Sequence, residues 1–290
     1  MKILVVYKPS NLTAYLAAMK HREQRPVARL KQLLMRAHRD HERSLFYVKE
    51  TLQKWTLNYD LKCRDEIKGI NEQDYQLIVC VGGDGTLLSV APYLKKIPVL
   101  ALNSAPRDSV GFFSCTKAMQ FKSIMRAILN KKHHPQTLAR MQVRINQKIL
   151  KEPILNEVLL AHPSPACTSR YCLMLPHLKQ KETQRSSGIW VATAAGSSAA
   201  IHSAGGRLMP LYAKRLQYVV REPYVPPHTK PYQLQKGVIL NTACVQIESL
   251  MPQAKLYCEG TLREIDIHFA DVIELSMHPD PLLLFTEKSA

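Results

Sequence analysis

No apolar run in the 290-residue chain approaches the roughly 20 residues of a membrane-spanning helix, so no transmembrane segment is expected. The start, Met1-Lys2-Ile3-Leu4-Val5-Val6-Tyr7, is too short in its apolar part for a signal peptide and lacks a small-residue cleavage site. It reads as a first β-strand. The seven cysteines (Cys63, Cys80, Cys115, Cys167, Cys172, Cys244 and Cys258) are odd in number and form no C-x-x-C pair. Neither a disulfide framework nor a zinc site is expected, and the expected location is a reducing cytoplasm. Most of these thiols should be small core residues. No H-E-x-x-H occurs: His133-His134 are adjacent, and Asp40-His41 lies in a charged helical pattern. The histidines therefore read as solvated, and no residue is assigned as a dedicated metal ligand. A G-x-S-x-G nucleophile elbow, internal repeats and low-complexity segments are also missing.

Acidic residues are in the minority, 23 Asp/Glu against 40 Lys/Arg, which leaves a net charge of +17. About half of the excess lies in the first 68 residues, with 15 basic and 7 acidic side chains. These are interspersed with apolar residues at helical spacing, the pattern of solvated helix faces. Attraction of polyphosphate substrates is a second use for such charge. Nucleic acid is not an expected partner, because no helix-turn-helix, aromatic RNA-binding or zinc-finger signature accompanies it. Hydrophobic residues make up 46% of the chain, enough for a sizeable core in one large domain or two ordinary ones.

After the first strand, Leu12, Tyr15, Leu16 and Met19 share one helix face. Leu30, Leu33, Leu34 and Ala37 repeat that pattern, Leu45, Val48, Leu52 and Trp55 resemble it, and Pro26 is a candidate break. Residues 75–81 and 97–102 are short continuous apolar runs, the mark of strands buried on both faces. Phe121, Ile124, Met125, Ile128 and Leu129 form the apolar face of a further helix. Repeated strand and helix imply a mainly parallel sheet with helices on its faces. Near residues 131–136 the character changes. Residues 142–146 and 264–269 alternate, residues 158–160, 171–175, 189–192 and 238–240 are short strand candidates, and the proline-rich stretch 221–231 reads as an exposed connection. His228 in that stretch receives no role. The expected fold is an α/β N-terminal domain over residues 1–135 and a β-rich domain over 136–275. A tail, 276–290, is expected to return to the first domain.

The strongest local signal is Gly82-Gly83-Asp84-Gly85-Thr86, between a buried strand and a helical pattern. Glycines let the backbone turn sharply and approach a ligand, and their N–H groups suit phosphate. No Lys-Ser/Thr follows, so this is not a Walker loop, and it is not the dinucleotide G-x-G-x-x-G. An aspartate among these glycines would repel phosphate unless it holds Mg²⁺ or takes a proton from an attacking hydroxyl, the two needs of phosphoryl transfer. A tight turn with a capping Asp is the alternative.

This loop resembles that of the NAD kinase family, and of the lipid kinases and phosphofructokinases that share its catalytic domain. Asn103-Ser104-Ala105-Pro106-Arg107-Asp108-Ser109-Val110-Gly111-Phe112-Phe113 is similar to the family's Asn followed by Gly-Phe, which implies that Phe112 lies against the dinucleotide; a core aromatic is the alternative. Leu155-Asn156-Glu157-Val158 resembles the Asn-Glu/Asp pair that hydrogen-bonds the substrate nucleoside. Residues 185–200 followed by Ser203-Ala204-Gly205-Gly206 resemble the Gly/Ser/Thr-rich binding segment, with packing against a neighbouring strand as the alternative.

The resemblance implies transfer of the terminal phosphoryl group of ATP to the 2′-hydroxyl of the NAD adenosine ribose, with Mg²⁺, in a cleft between the two domains of a homodimer or homotetramer. It assigns Asp84 to orient and deprotonate that hydroxyl or to hold Mg²⁺, and Gly82, Gly83, Gly85 and Thr86 to cradle phosphate. Asn156 and Glu157 would hold the dinucleotide, with Arg185, Ser187, Thr193, Ser198 and Ala199 lining the site. Four positions depart from the common pattern: Ser187 replaces an Asp, Ala194 a Pro, Ala200 a Tyr, and Glu259-Gly260 stands at an Asp-Gly. The Ser-Ser-Gly version resembles the branch that includes mitochondrial-type NAD kinases. These departures bear on substrate preference. They also keep open a non-catalytic dinucleotide-binding homologue, while the loop alone would equally suit a lipid kinase.

Overall fold

The computed structural model describes residues 1–19, 28–107 and 110–286. Pro26, the candidate helix break, lies outside them. The chain divides into two compact units, Met1–Gln136 with Leu283–Ala290, and Thr137–Leu282.

In the first unit the chain runs β1 (Lys2–Tyr7), α1 (Asn11–Met19), α2 (Ala28–Lys54), β2 (Asn58–Cys63), β3 (Leu77–Gly82), α3 (Asp84–Val90), β4 (Val99–Asn103), a two-residue β5 (Thr116–Lys117) and α4 (Phe121–Leu129). β2, β1, β3 and β4 lie side by side in that order, all parallel. Every residue of β3 and β4 is buried, which is why both segments read as unbroken apolar runs. Leu45, Val48 and Leu52 of α2 and Phe121 and Met125 of α4 pack on Ile3, Val5, Leu77, Val79, Val81, Leu100 and Leu102. Only the second half of α2 turns this apolar stripe inward; Leu30 and Leu33 remain about 40% exposed, at 42% and 43%. Among the described residues no helix is long and apolar enough to cross a membrane.

A short strand, β6 (Gln136–Leu138), leads to the second unit, which is made almost wholly of strands. These are β7 (Met141–Ile145), β8 (Lys148–Ile149), β9 (Glu157–Ala161), β10 (Ser169–Leu175), β11 (Gln180–Ser186), β12 (Gly188–Thr193), then the one-turn helix α5 (Ala200–Ser203), β13 (Arg215–Arg221), β14 (Lys236–Leu240), β15 (Val245–Ser249), β16 (Ala254–Cys258), β17 (Arg263–Ile267) and β18 (Val272–Met277). They form two sheets, β11-β10-β15-β18-β7-β8 and β14-β13-β12-β9-β16-β17. All their pairings are antiparallel. Val143, Tyr171, Leu173, Ile247 and Ile273 of the first sheet share one core with Val158, Leu160, Ile189, Val191, Leu216 and Leu256 of the second. These are alternate residues along each strand, as two sheets facing each other require. The last strand, β19 (Leu282–Phe285), pairs in parallel with β4, so the end of the chain completes the first unit's sheet.

The expected mainly parallel first half and β-rich second half are both present. The expectation of solvated histidines fails at two positions. His41 is 2% exposed and His133 is 7% exposed. His133 donates through Nε2–H to the Thr286 carbonyl at 2.9 Å, and its ring meets Phe285 edge-on. An imidazole that finds one polar partner and one aromatic face can leave water, and sequence spacing does not reveal this.

Candidate active site

In the first unit, β3 ends at Gly82 and α3 begins at Asp84, so Gly83 is the residue that turns the chain from strand to helix. Gly82 has no room for a side chain: a Cβ there would fall 2.0 Å from Thr86 Oγ1. Thr86 is fully buried, and its hydroxyl is turned toward that point without a hydrogen-bond partner. Thr86 thus contributes a packed wall beneath the loop, and a phosphate contact from it would come from the backbone.

The carboxylate of Asp84 is held in place. Oδ2 accepts from the backbone N–H of Phe112 at 2.9 Å, and Oδ1 accepts from Phe113 N–H at 2.9 Å. Each oxygen keeps a further lone pair for a donor. The two rings stand edge to face, 5.2 Å apart at 84°, with Phe113 buried and Phe112 47% exposed. Phe113, and not Phe112, is the core aromatic of the pair. Behind them, Ser104 N–H donates to the Gly82 carbonyl at 3.0 Å. Ser104 is anchored in turn by α2, since His41 Nδ1 is 2.9 Å from its Oγ and Ser44 Oγ donates to its carbonyl at 3.0 Å. Burial, then the nearby charges of Lys8 and His38, push the His41 pKa down to about 4, so the ring is neutral near pH 7. The long basic helix therefore reaches the turn beside the phosphate loop, a contact for which the sequence carries no motif.

In the second unit, Glu157 opens β9 and Asn156 immediately precedes it, at the strand start that the sequence indicated. Their backbone is fixed from both sides. Glu259 accepts from the N–H groups of Leu155 and Asn156, the latter at 3.1 Å from each carboxylate oxygen. From the other side Thr193 N–H donates to the Asn156 carbonyl at 2.9 Å, and Thr193 Oγ1 donates to the Leu155 carbonyl. The two side chains so positioned are 8% and 6% exposed, and Asn156 Oδ1 and Glu157 Oε2 have no hydrogen-bond partner. Buried polar atoms without partners cost stability, and a ligand that pairs with them recovers it. Burial, then the charge of Glu259, raises the Glu157 pKa to about 8. Burial raises Glu259 to about 7 against the pull of its amide donors.

The small-residue segment divides in two. Thr193 is fully buried and Gly196 touches the backbone just ahead of β9: a Cβ on Gly196 would lie 2.3 Å from the Asn156 carbonyl oxygen. Here small size serves packing against the neighbouring strand. Gly196→Ala should therefore displace Asn156 or unfold the unit, at a cost of about 1–3 kcal/mol. Urea unfolding would register this, and an unchanged midpoint would remove the packing argument. Ser198 is exposed and Ala199 partly so, immediately after this contact. Ser203-Ala204-Gly205-Gly206 leads to a cavity of about 260 Å³ that also involves Arg207, Gln217 and Lys236. Arg185 lies in β11 and is exposed. It points outward from β11, the edge strand of the other sheet, and Ser187 stands at the corner between β11 and β12. Glu259 was legible only as a departure from a common Asp. Its φ of +54°, followed by +67° at Gly260, makes the tight turn that brings its carboxylate back to the start of β9.

Residues 9–133 match the family model described as the ATP-NAD kinase N-terminal domain. A probable NADH kinase of Oryza sativa subsp. japonica is 31% identical over 258 residues, covering 82% of this chain and 79% of the relative. An NADH kinase of Arabidopsis thaliana is 27% identical over 275 residues, covering 84% and 83%. Among solved structures, an NAD kinase of Archaeoglobus fulgidus in complex with ATP superposes with a TM-score of 0.70 at 18% identity, over 99% of this chain and 94% of that one.

Proposed function

This chain belongs to the NAD kinase family, and on that premise we propose that it transfers the terminal phosphoryl group of ATP to the 2′-hydroxyl of the adenosine ribose of NAD or NADH. The names of the rice and Arabidopsis relatives favour NADH as the better acceptor. The observation that carries the reading is the Asp84 carboxylate, fixed beside the glycine loop by the amides of Phe112 and Phe113. A carboxylate so oriented accepts the proton of the attacking hydroxyl. The ribose oxygen then bonds to the γ-phosphorus, the bond from that phosphorus to the β–γ bridging oxygen breaks, and ADP leaves. Asn156 and Glu157, with unpartnered atoms set by Glu259 and Thr193, hold the dinucleotide. Gly82, Gly83 and Gly85 offer backbone to phosphate.

Among the described residues no three acidic, histidine or cysteine side chains are gathered as a metal cage. One carboxylate beside a phosphate loop nevertheless fits Mg²⁺, which takes one or two carboxylates together with nucleotide phosphates. Asp84 is the residue that would share it, and the ion would supply neutralisation of phosphate charge.

Purified protein given ATP, Mg²⁺ and either NAD or NADH is expected to form NADP and NADPH, with the higher kcat/KM for NADH. A preference for NAD would reverse the acceptor assignment. Binding of both dinucleotides without product would identify a non-catalytic homologue, the reading that Ser187 and Ala200 keep open.

A further inference from the structure

The strand order β2-β1-β3-β4 reverses direction between β1 and β3, and open α/β sheets take their ligands at the carboxyl ends of strands near such a reversal. β3 delivers the phosphate loop to that edge. Beyond β1, β2 delivers Arg64. Arg64 opens a single 3-10 turn, Arg64–Glu66, that is tied at both ends. Cys63 N–H donates to Glu66 Oε2 at 3.1 Å, and Ile67 N–H donates to the Arg64 carbonyl at 3.1 Å. The guanidinium lies against the loop: Nη1 is 3.4 Å from the point where a Cβ on Gly85 would sit. Its Nε pairs with Asp65 Oδ1 at 3.2 Å, an adjacent carboxylate that is itself 64% exposed. Among the described residues the terminal nitrogens donate no hydrogen bond.

A phosphate-binding loop of the Walker type carries its own lysine, and this one does not, since Leu87-Leu88 follow Gly85-Thr86. Backbone N–H groups alone would face a polyphosphate with partial charges only. Arg64 places a permanent cation and a planar fork of unused donors beside the same glycine, the geometry that matches a pair of phosphate oxygens. Its side chain is 33% exposed, so the fork is open to solvent as well as rigidly based. We propose that Arg64 binds the polyphosphate of the phosphoryl donor at the glycine loop. This assignment rests on the kinase reading above, and it makes Arg64 a determinant of donor affinity and not of acceptor affinity.

The test compares the wild type with Arg64→Ala, Arg64→Lys and Arg64→Gln, none of which removes a buried group. In steady-state assays Arg64→Ala is expected to raise KM for ATP about tenfold or more, as loss of a charge-assisted hydrogen bond does, with KM for the dinucleotide within about twofold. Lys should fall between wild type and Ala, and Gln should behave as Ala does. In a second arm, millimolar inorganic tripolyphosphate should raise the Tm of the wild type and leave that of Arg64→Ala nearly unmoved. An unchanged KM for ATP in Arg64→Ala, or a change confined to the dinucleotide, would overturn the assignment. Should the wild type make neither NADP nor NADPH, the kinase reading fails by itself and tripolyphosphate alone decides. A shift lost in Arg64→Ala upholds the site, and a shift equal in both proteins or absent from both refutes it.

Discussion

Asp84→Asn is expected to lower the turnover of NADP(H) formation by about two orders of magnitude or more, the usual loss when a general base is removed. The structure adds a second consequence. Both carboxylate oxygens of Asp84 accept backbone N–H groups, from Phe112 and Phe113. An asparagine can keep one of these bonds, but its NH₂ must then face the other N–H, donor against donor. That leaves one amide unsatisfied and should cost about 1–3 kcal/mol. The variant should therefore unfold at a lower denaturant concentration while dinucleotide binding, proposed for Asn156 and Glu157, is retained. Measuring kcat at saturating substrates, dinucleotide Kd and the urea midpoint separates the effects. Unchanged turnover refutes Asp84 as base. An unchanged midpoint refutes its hold on the 112–113 turn.

Glu157→Gln is expected to stabilise the protein at alkaline pH and to leave it nearly unaffected at acid pH. Burial, and next to it Glu259, raises Glu157 from its ordinary 4.5 to about 8. Below pH 4.5 the carboxyl is protonated in folded and unfolded chains alike. As pH rises from there to about 8, the unfolded chain ionises it and the folded chain does not, so folding stability is progressively lost. A glutamine carries no such penalty. The difference in unfolding free energy between variant and wild type should be close to zero near pH 4.5. It should grow through neutral pH and level off above pH 8, at a size on the order of 5 kcal/mol. Titrating groups that do not interact with Glu157 are common to both proteins and cancel in the difference, whereas Glu259, coupled to it, adds its own change near pH 7. Urea titrations across this range decide the matter, and a difference independent of pH would mean that the carboxyl ionises normally.

Several features of the molecule can be read directly from the chain, for a common physical reason. Residues 77–82 and 99–103 are apolar throughout because both faces of a central parallel strand are covered, and this leaves an unbroken run. Residues 141–145 alternate because only one face of a sandwich strand meets the core. Gly82-Gly83-Asp84-Gly85-Thr86 is legible since a tight strand-to-helix turn with no room for a side chain at Gly82 tolerates few residue types. Asn156 and Glu157 carry no signal of their own and gained one only from their place ahead of a strand.

What remained hidden depends on contacts between residues far apart in the chain. His41 and Ser104 are 63 positions apart and meet because α2 lies on the sheet. Glu259 and Leu155 are 104 apart, joined by the pairing of β16 with β9. Periodicity specifies which face of an element is apolar, but not which distant residue that face will meet. A histidine therefore reads as solvated until a helix brings it to a serine. Likewise the Gly/Ser/Thr-rich segment reads as open to a ligand, while in the fold Gly196 and Thr193 close on the Leu155–Asn156 backbone that leads into β9. The two-part fold and the glycine-aspartate turn from strand to helix were legible in the chain alone. Folding was needed for the rest: Phe112 and Phe113 aim that aspartate, Glu259 sets the Asn156–Glu157 pair, and Arg64 stands beside Gly85. Local composition fixes what a short segment can form, whereas the direction in which a polar group finally points is set by partners that only the folded chain brings within hydrogen-bonding distance.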